Sequence, residues 1–190
     1  IVAVIDGKLE ITKGTLNVTR TDCAKVYDGD PLRGDRATGD RLVGGHTLRA
    51  LDPITEITNV WESGKAIETR FTVVTADGSE TVDGHILADN YQITHIDGVG
   101  VLAVTARPIT GSTPSGEKIY DGTPLVGDQA VTCTRGGLVK NHTFMVGGSV
   151  SITDAGTRKN DFAIFVSDGT DNVTVNYELT YEYGTLTVKQ

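Results

Sequence analysis

The pentapeptide Lys25-Val26-Tyr27-Asp28-Gly29 returns 93 residues later as Lys118-Ile119-Tyr120-Asp121-Gly122, and this echo limits the chain to folds that can be written twice. The match runs on in the same order. Pro31-Leu32 and Gly34-Asp35 recur as Pro124-Leu125 and Gly127-Asp128, and His46-Thr47 recurs as His142-Thr143. Ile57-Thr58 recurs as Ile152-Thr153, Phe71 ahead of Asp77-Gly78 as Phe162 ahead of Asp168-Gly169, and Asn90-Tyr91 as Asn176-Tyr177. The spacing drifts by a few residues between landmarks, which surface loops tolerate and paired strands do not. The sequence is therefore read as two β-rich repeats, 13–105 and 106–190, each long enough to bury a core of its own. Ile5-Asp6-Gly7 ahead of Leu9-Glu10-Ile11-Thr12 reads like Ile96-Asp97-Gly98 ahead of Leu102-Ala103-Val104-Thr105. Residues 1–12 are accordingly expected to form the last strands of an upstream repeat or a lead-in strand.

Period-two alternation sets the fold class. It is cleanest over Tyr177-Glu178-Leu179-Thr180-Tyr181-Glu182-Tyr183 and recurs at Leu9 with Ile11, Leu16 with Val18, Phe71 with Val73, Phe162 with Ile164 and Val166, and Leu186 with Val188. Such spacing buries one face of a strand and wets the other. Asp-Gly, Gly-Gly and Ser-Gly pairs separate the runs as turns do. No stretch of ten or more residues carries a helical apolar period, and at most one helical turn is expected near Leu42 and Leu138. An all-β chain follows, with tandem antiparallel β-sandwich units of immunoglobulin-like type arranged end to end. The alternative, β-grasp units, needs a helix the sequence barely offers. Thr105-Ala106-Arg107-Pro108-Ile109-Thr110 joins the repeats without Gly or Ser, so a short and stiff junction is expected.

The formal net charge of −8, with no basic stripe, makes nucleic acid and anionic membrane poor partners. No apolar run reaches the length of a membrane span. Cys23 and Cys133 do not fall at each other's repeat position, and a repeated staple would recur in each copy. Two free thiols are the favoured reading and an inter-unit bridge the other. Without Cys-x-x-Cys spacing the pair does not suggest zinc.

A Lys-[Val/Ile]-Tyr-Asp-Gly-x-Pro-Leu stretch (25–32 and 118–125) opens each repeat, and a Gly/Asn-His-Thr step (45–47 and 141–143) marks its middle. An Asn-Tyr-x-[Ile/Leu]-Thr strand (90–94 and 176–180) then leads to Gly and Leu-x-Val. In this order the motifs resemble the YDG/MBG-type tandem repeats of bacterial cell-surface adhesin-like proteins, and Ala106–Thr110 resembles the junction used in those arrays. The likeness covers nearly all of the chain. It implies an extracellular module, cell-surface or cell-wall attached through parts of a parent protein. It also implies a non-enzymatic stalk role, with neighbouring repeats of the same chain as partners. The first repeat departs from the pattern at Asn59-Val60-Trp61-Glu62-Ser63-Gly64, where the second has Asp154-Ala155-Gly156, and around Thr81 to Ala88.

Several residues invite chemistry and also have a plainer reading. Tyr27-Asp28-Gly29 and Tyr120-Asp121-Gly122 are read as turns, with each Tyr ring packed on the core. His46 and His142 recur without a nucleophile or a second ligand at metal spacing, so structural histidines are expected and an enzyme is not. Asp77, Glu80 and Asp83 in one repeat, and Asp168, Asp171 and Asn172 in the other, are weak calcium candidates that lack the ladder of a hard-cation loop. Arg33-Gly34-Asp35 spells a receptor-recognition tripeptide in an expected loop, but the second repeat has Val126-Gly127-Asp128, which leaves Arg33 as the unexplained part. Trp61, the only Trp, is either a stacking platform for a sugar or protein partner or, as favoured, a plug between loops. A monomer without cofactor is expected, and its alternative role is an adhesive module that itself binds a host glycan or extracellular protein.

Overall fold

The computed structural model describes residues 7–190, and among them strands dominate. Two compact units divide the chain. Unit 1 takes the described residues up to Ala24, Leu32–Ile57 and Gly64–Ala103, while unit 2 takes Lys25–Pro31, Thr58–Ser63 and Val104–Gln190. Unit 2 therefore includes two short stretches that lie inside the sequence span 13–105.

The first twelve strands are β1 (Gly14–Arg20), β2 (Cys23–Val26), β3 (Leu32–Arg33), β4 (Ala37–Gly39), β5 (His46–Leu51), β6 (Glu56–Ile57), β7 (Lys65–Ala66), β8 (Arg70–Thr75), β9 (Thr81–Val82), β10 (His85–Ile86), β11 (Tyr91–His95) and β12 (Val101–Thr105). They pair in the orders β11-β1-β4, β2-β12-β7, β3-β6, β5-β8 and β9-β10. The remainder are β13 (Arg107–Ser112), β14 (Gly116–Ile119), β15 (Leu125–Val126), β16 (Thr132–Arg135), β17 (Thr143–Gly147), β18 (Ser151–Ile152), β19 (Gly156–Lys159), β20 (Ala163–Ser167), β21 (Tyr177–Glu182) and β22 (Thr185–Lys189). Their orders are β21-β13-β16, β14-β22-β19, β15-β18 and β17-β20. Strand for strand the second set repeats the first. The small β9-β10 pair is the one addition, and it falls on the extra residues at Thr81 to Ala88.

The all-β expectation holds, but strand direction does not follow the antiparallel reading throughout. β1 runs parallel to β11, with Leu16 opposite Ile93, and β13 runs parallel to β21, with Ile109 opposite Leu179. β14 is likewise parallel to β22. Each of these pairs joins an early strand of a repeat to a late one, which leaves ample chain for the crossover that a parallel pair requires. Alternation reports which face is buried and is silent on direction. Helical structure among the described residues consists of the 3₁₀ turns Val60–Glu62, Leu87–Asn90 and Thr174–Asn176, which leaves no helix for a β-grasp unit. The strand expected over Leu9 and Ile11 is absent: both side chains are over nine-tenths exposed, at 93% and 92%, with no partner strand beside them. Residues 1–6 of that lead-in lie outside the described residues.

Cores form where sheets face each other. In unit 1, Leu16 and Val18 of β1 pack with Phe71 and Val73 of β8, and Leu87 and Tyr91 close the cluster. In unit 2, Val150, Phe162 and Leu186 pack with Leu125, Val146 and Ile152. In unit 1 the cluster joins residues of two separately paired sheets, β11-β1-β4 and β5-β8, as the core of a sandwich does.

The glycine before each Leu-x-Val strand has a steric reason. A Cβ on Gly184 would lie 2.2 Å from the Pro114 carbonyl oxygen, and one on Gly100 would lie 3.0 Å from the Arg20 carbonyl carbon. Gly184 also donates its N–H to Thr113 Oγ1 at 3.0 Å and accepts the Asn160 N–H at 2.9 Å, so it cannot retreat without breaking both. Gly184→Ala is expected to cost about 1–3 kcal/mol, an overpacking penalty read as a lower urea midpoint. An unchanged midpoint would show that the backbone contact is not obligatory.

Candidate functional site

The two recurring histidines lie beside the two recurring tyrosines. His46 opens β5 and Tyr91 opens β11, and His46 Nδ1 is 2.6 Å from the Tyr91 hydroxyl, which also accepts the Val43 N–H at 3.2 Å. In unit 2, His142 Nδ1 is 2.6 Å from the Tyr177 hydroxyl, which accepts the Val139 N–H at 3.1 Å. One arrangement satisfies every group: the phenol accepts from the backbone and donates to Nδ1, with the imidazole proton on Nε2. Each pair thereby fastens the turn before β5, or before β17, to a strand far along the chain. The sequence showed both members recurring; only the structure joins them.

In unit 2 this pair is covered. Tyr27 is 4% exposed, its ring centroid 6.1 Å from that of His142 and 5.6 Å from that of Tyr177, the latter pair nearly perpendicular at 76°. Edge-to-face contacts of this kind add to the gain from burial. Burial pushes the Tyr27 phenol upward, against a hydrogen bond with Asn176, and burial raises Tyr177 as well. A cavity of about 490 Å³ is bordered by Asp28, Asn59, Lys140, His142 and Asp168.

The Tyr-Asp-Gly turns are built alike. Asp28 Oδ1 receives Lys25 Nζ at 2.6 Å and the Asp30 N–H at 3.0 Å, and Asp121 Oδ1 receives Lys118 Nζ at 2.6 Å and the Thr123 N–H at 2.9 Å. The second residue of the turn is left-handed in both, with φ of 87° at Gly29 and 79° at Gly122. Lysine and backbone donors hold the exposed Asp121 carboxyl well below the usual range. The tyrosines differ: Tyr120 is 52% exposed, so the expected packing of both rings holds only for Tyr27.

The remaining candidates do not converge. Asp77 accepts from Thr75 Oγ1 and from the Ser79 N–H, Glu80 pairs with Arg49, and Asp83 sits in a left-handed turn at φ 50°. Asp168 Oδ1 accepts the N–H groups of Thr170 and Asp171 at 2.9 and 2.8 Å, and Asn172 Oδ1 accepts from Thr174. These acceptors shape their own turns, and among the described residues no group of three or more His, Cys, Asp or Glu is placed to hold a metal. Arg33 lies on β3 opposite Glu56 instead of in a loop, and Gly34 is buried against Ile67, where an added Cβ would come within 2.8 Å. Asp35 is exposed after it. Trp61 occupies the 3₁₀ turn Val60–Glu62 and is 60% exposed. Cys23 is buried, Cys133 is exposed, and both are free thiols.

A third histidine was not singled out by the sequence because it has no counterpart. His95 Nε2 accepts the Phe71 N–H at 2.9 Å and so must be neutral there. Burial, then Arg20 and Arg70, lower its pKa below the ordinary 6.5. The unfolded chain thus binds the proton first, and the contribution of His95 to stability is complete above pH 6.5 and is lost as pH falls through the folded value. The urea midpoint is expected to drop between pH 7.5 and 5.5, and to drop less in His95→Gln, which keeps an acceptor that does not titrate. Equal pH dependence in the two proteins would remove His95 from the account.

No family model matches the chain, and no curated protein matches it. Among solved structures, the crystal structure of the N-terminal four Ig domains of Dscam1 isoform 9.44, with zinc, aligns over 91% of this chain at 14% identity with a TM-score of 0.21. The chain spans about half, 46%, of that protein's chain, and a likeness this slight carries no argument.

Proposed function

We propose that this chain is a structural stalk segment of a bacterial cell-surface adhesin, extracellular and non-enzymatic, whose repeats project a distal binding region. The observation that supports the reading is the repeated strand order, in which the residues that recur go into turns, cores and fasteners. Lys25 and Lys118 clamp turns, His46 and His142 bind phenols, and Gly100 and Gly184 lie against backbone. A spacer needs those parts and no others.

An adhesive module that binds a host glycan or extracellular protein is the second reading, and it has one observation in its favour. Trp61 presents a 60% exposed ring on the turn where the first repeat departs from the second. Glycan and matrix-protein arrays separate the two. The stalk reading expects no saturable binding by the wild-type chain. Saturable binding lost in Trp61→Ala, with the thermal midpoint unchanged, would replace it with the adhesive one.

A further inference from the structure

In unit 2, four side chains form a receiving face that is filled. Tyr27 lies on His142 and Tyr177, and Gly29 packs so closely on Val139 that an added Cβ would come within 2.7 Å of its Cγ1. The fourth, Asn176, is fully buried: its Oδ1 accepts the Val60 N–H at 2.9 Å and its Nδ2 donates to Asn59 Oδ1 at 2.9 Å. Unit 1 carries the same four residue types at the matching positions, Val43, His46, Asn90 and Tyr91, with the same His–Tyr bond. That face is open in part: among the described residues Val43 is 59% exposed where Val139 is partly buried and Asn90 is exposed where Asn176 is buried, whereas Tyr91, at 6%, is as buried as Tyr177.

The inserting element is also present twice. Tyr120-Asp121-Gly122 folds into the same lysine-clamped turn as Tyr27-Asp28-Gly29. Asp154-Ala155 follow Ile152-Thr153 as Asn59-Val60 follow Ile57-Thr58, and Tyr120, Asp154 and Ala155 border one surface cavity, so the parts lie side by side. This copy is uncovered. Tyr120 is 52% exposed, and a Cβ on Gly122 would meet nothing within 4 Å.

We infer that Tyr120–Gly122 and Asp154-Ala155 of one copy dock on Val43, His46, Asn90 and Tyr91 of a second copy of this chain. The Tyr120 ring packs on the partly exposed His46 and Gly122 packs on Val43. The Asp154 carboxylate accepts from Asn90 Nδ2, and the Ala155 N–H donates to Asn90 Oδ1. Aspartate in place of Asn59 keeps the acceptor and strengthens it, since a charged acceptor makes the stronger bond. Inserting and receiving surfaces differ, so the contact is heterologous and adds copies in line without closing. The inference stands apart from the stalk reading, because a spacer need not self-associate.

Sedimentation equilibrium of the full chain from about 10 µM to about 1 mM tests it. The weight-average mass of the wild type is expected to rise with concentration. Tyr120→Ala, which loses the insert, and Val43→Glu, which blocks the face, should each remain monomeric alone. Mixed in equal amounts they should form a dimer and nothing larger, because each retains the half the other lacks. Both positions are exposed, and circular dichroism verifies folding. Asn90→Asp, which sets a carboxylate against that of Asp154, gives an independent block should Val43→Glu misfold. A wild type that stays monomeric at the top concentration, variants that associate as the wild type does, or a mixture that stays monomeric would each overturn the inference.

Discussion

Tyr27→Ala is expected to destabilise the protein by about 3–5 kcal/mol, the usual cost of deleting a large buried ring, whereas Tyr120→Ala should change stability by no more than about 0.5 kcal/mol. The two tyrosines occupy the same place in the same five-residue motif, and by sequence they are interchangeable. Burial separates them: Tyr27 is 4% exposed against His142 and Tyr177, and Tyr120 is 52% exposed. Removing Tyr27 leaves a cavity beside two aromatic rings, those of His142 and Tyr177. Urea midpoints of the two variants, measured dilute so that no association contributes, give the comparison. Equal losses would show that the motif acts as a turn alone and that the aromatic cluster contributes little.

Phe71→Ala and Phe162→Ala are each expected to cost about 3–5 kcal/mol. Both rings are 3% exposed, and each anchors the core of its own unit, Phe71 against Leu16 and Val18, Phe162 against Leu186 and Val150. A backbone N–H is also at stake at the first site, because Phe71 donates to His95, and a shift of β8 into the cavity would break that bond. Calorimetry should show two comparable losses. A loss below about 1 kcal/mol at either site would mean that the core there relaxes around the gap.

How much of this was legible in the sequence can be judged from particular residues. Leu16 with Val18, Phe71 with Val73 and Leu186 with Val188 announced their strands, because a half-buried strand has to alternate. Leu9 with Ile11 alternates as well and forms none, since alternation supplies a face and not a partner strand. The parallel pairing of β1 with β11 and of β13 with β21 was invisible for the related reason that burial pattern does not encode direction. The His46–Tyr91 and His142–Tyr177 bonds were half legible: each member recurred, yet recurrence cannot say which recurring residues touch. The exposure of Trp61 and Tyr120 was not legible, since a large ring reads as core until its surroundings are known.

The central claim is that the chain carries one strand arrangement twice, with an early strand lying parallel to a late one in each copy. Cross-strand nuclear Overhauser contacts along β1–β11 and β13–β21 test it most directly. The account expects the parallel pattern in both, with Leu16 opposite Ile93 and Ile109 opposite Leu179. An antiparallel pattern in either pair, or a pairing found in one copy and missing from the other, would contradict it.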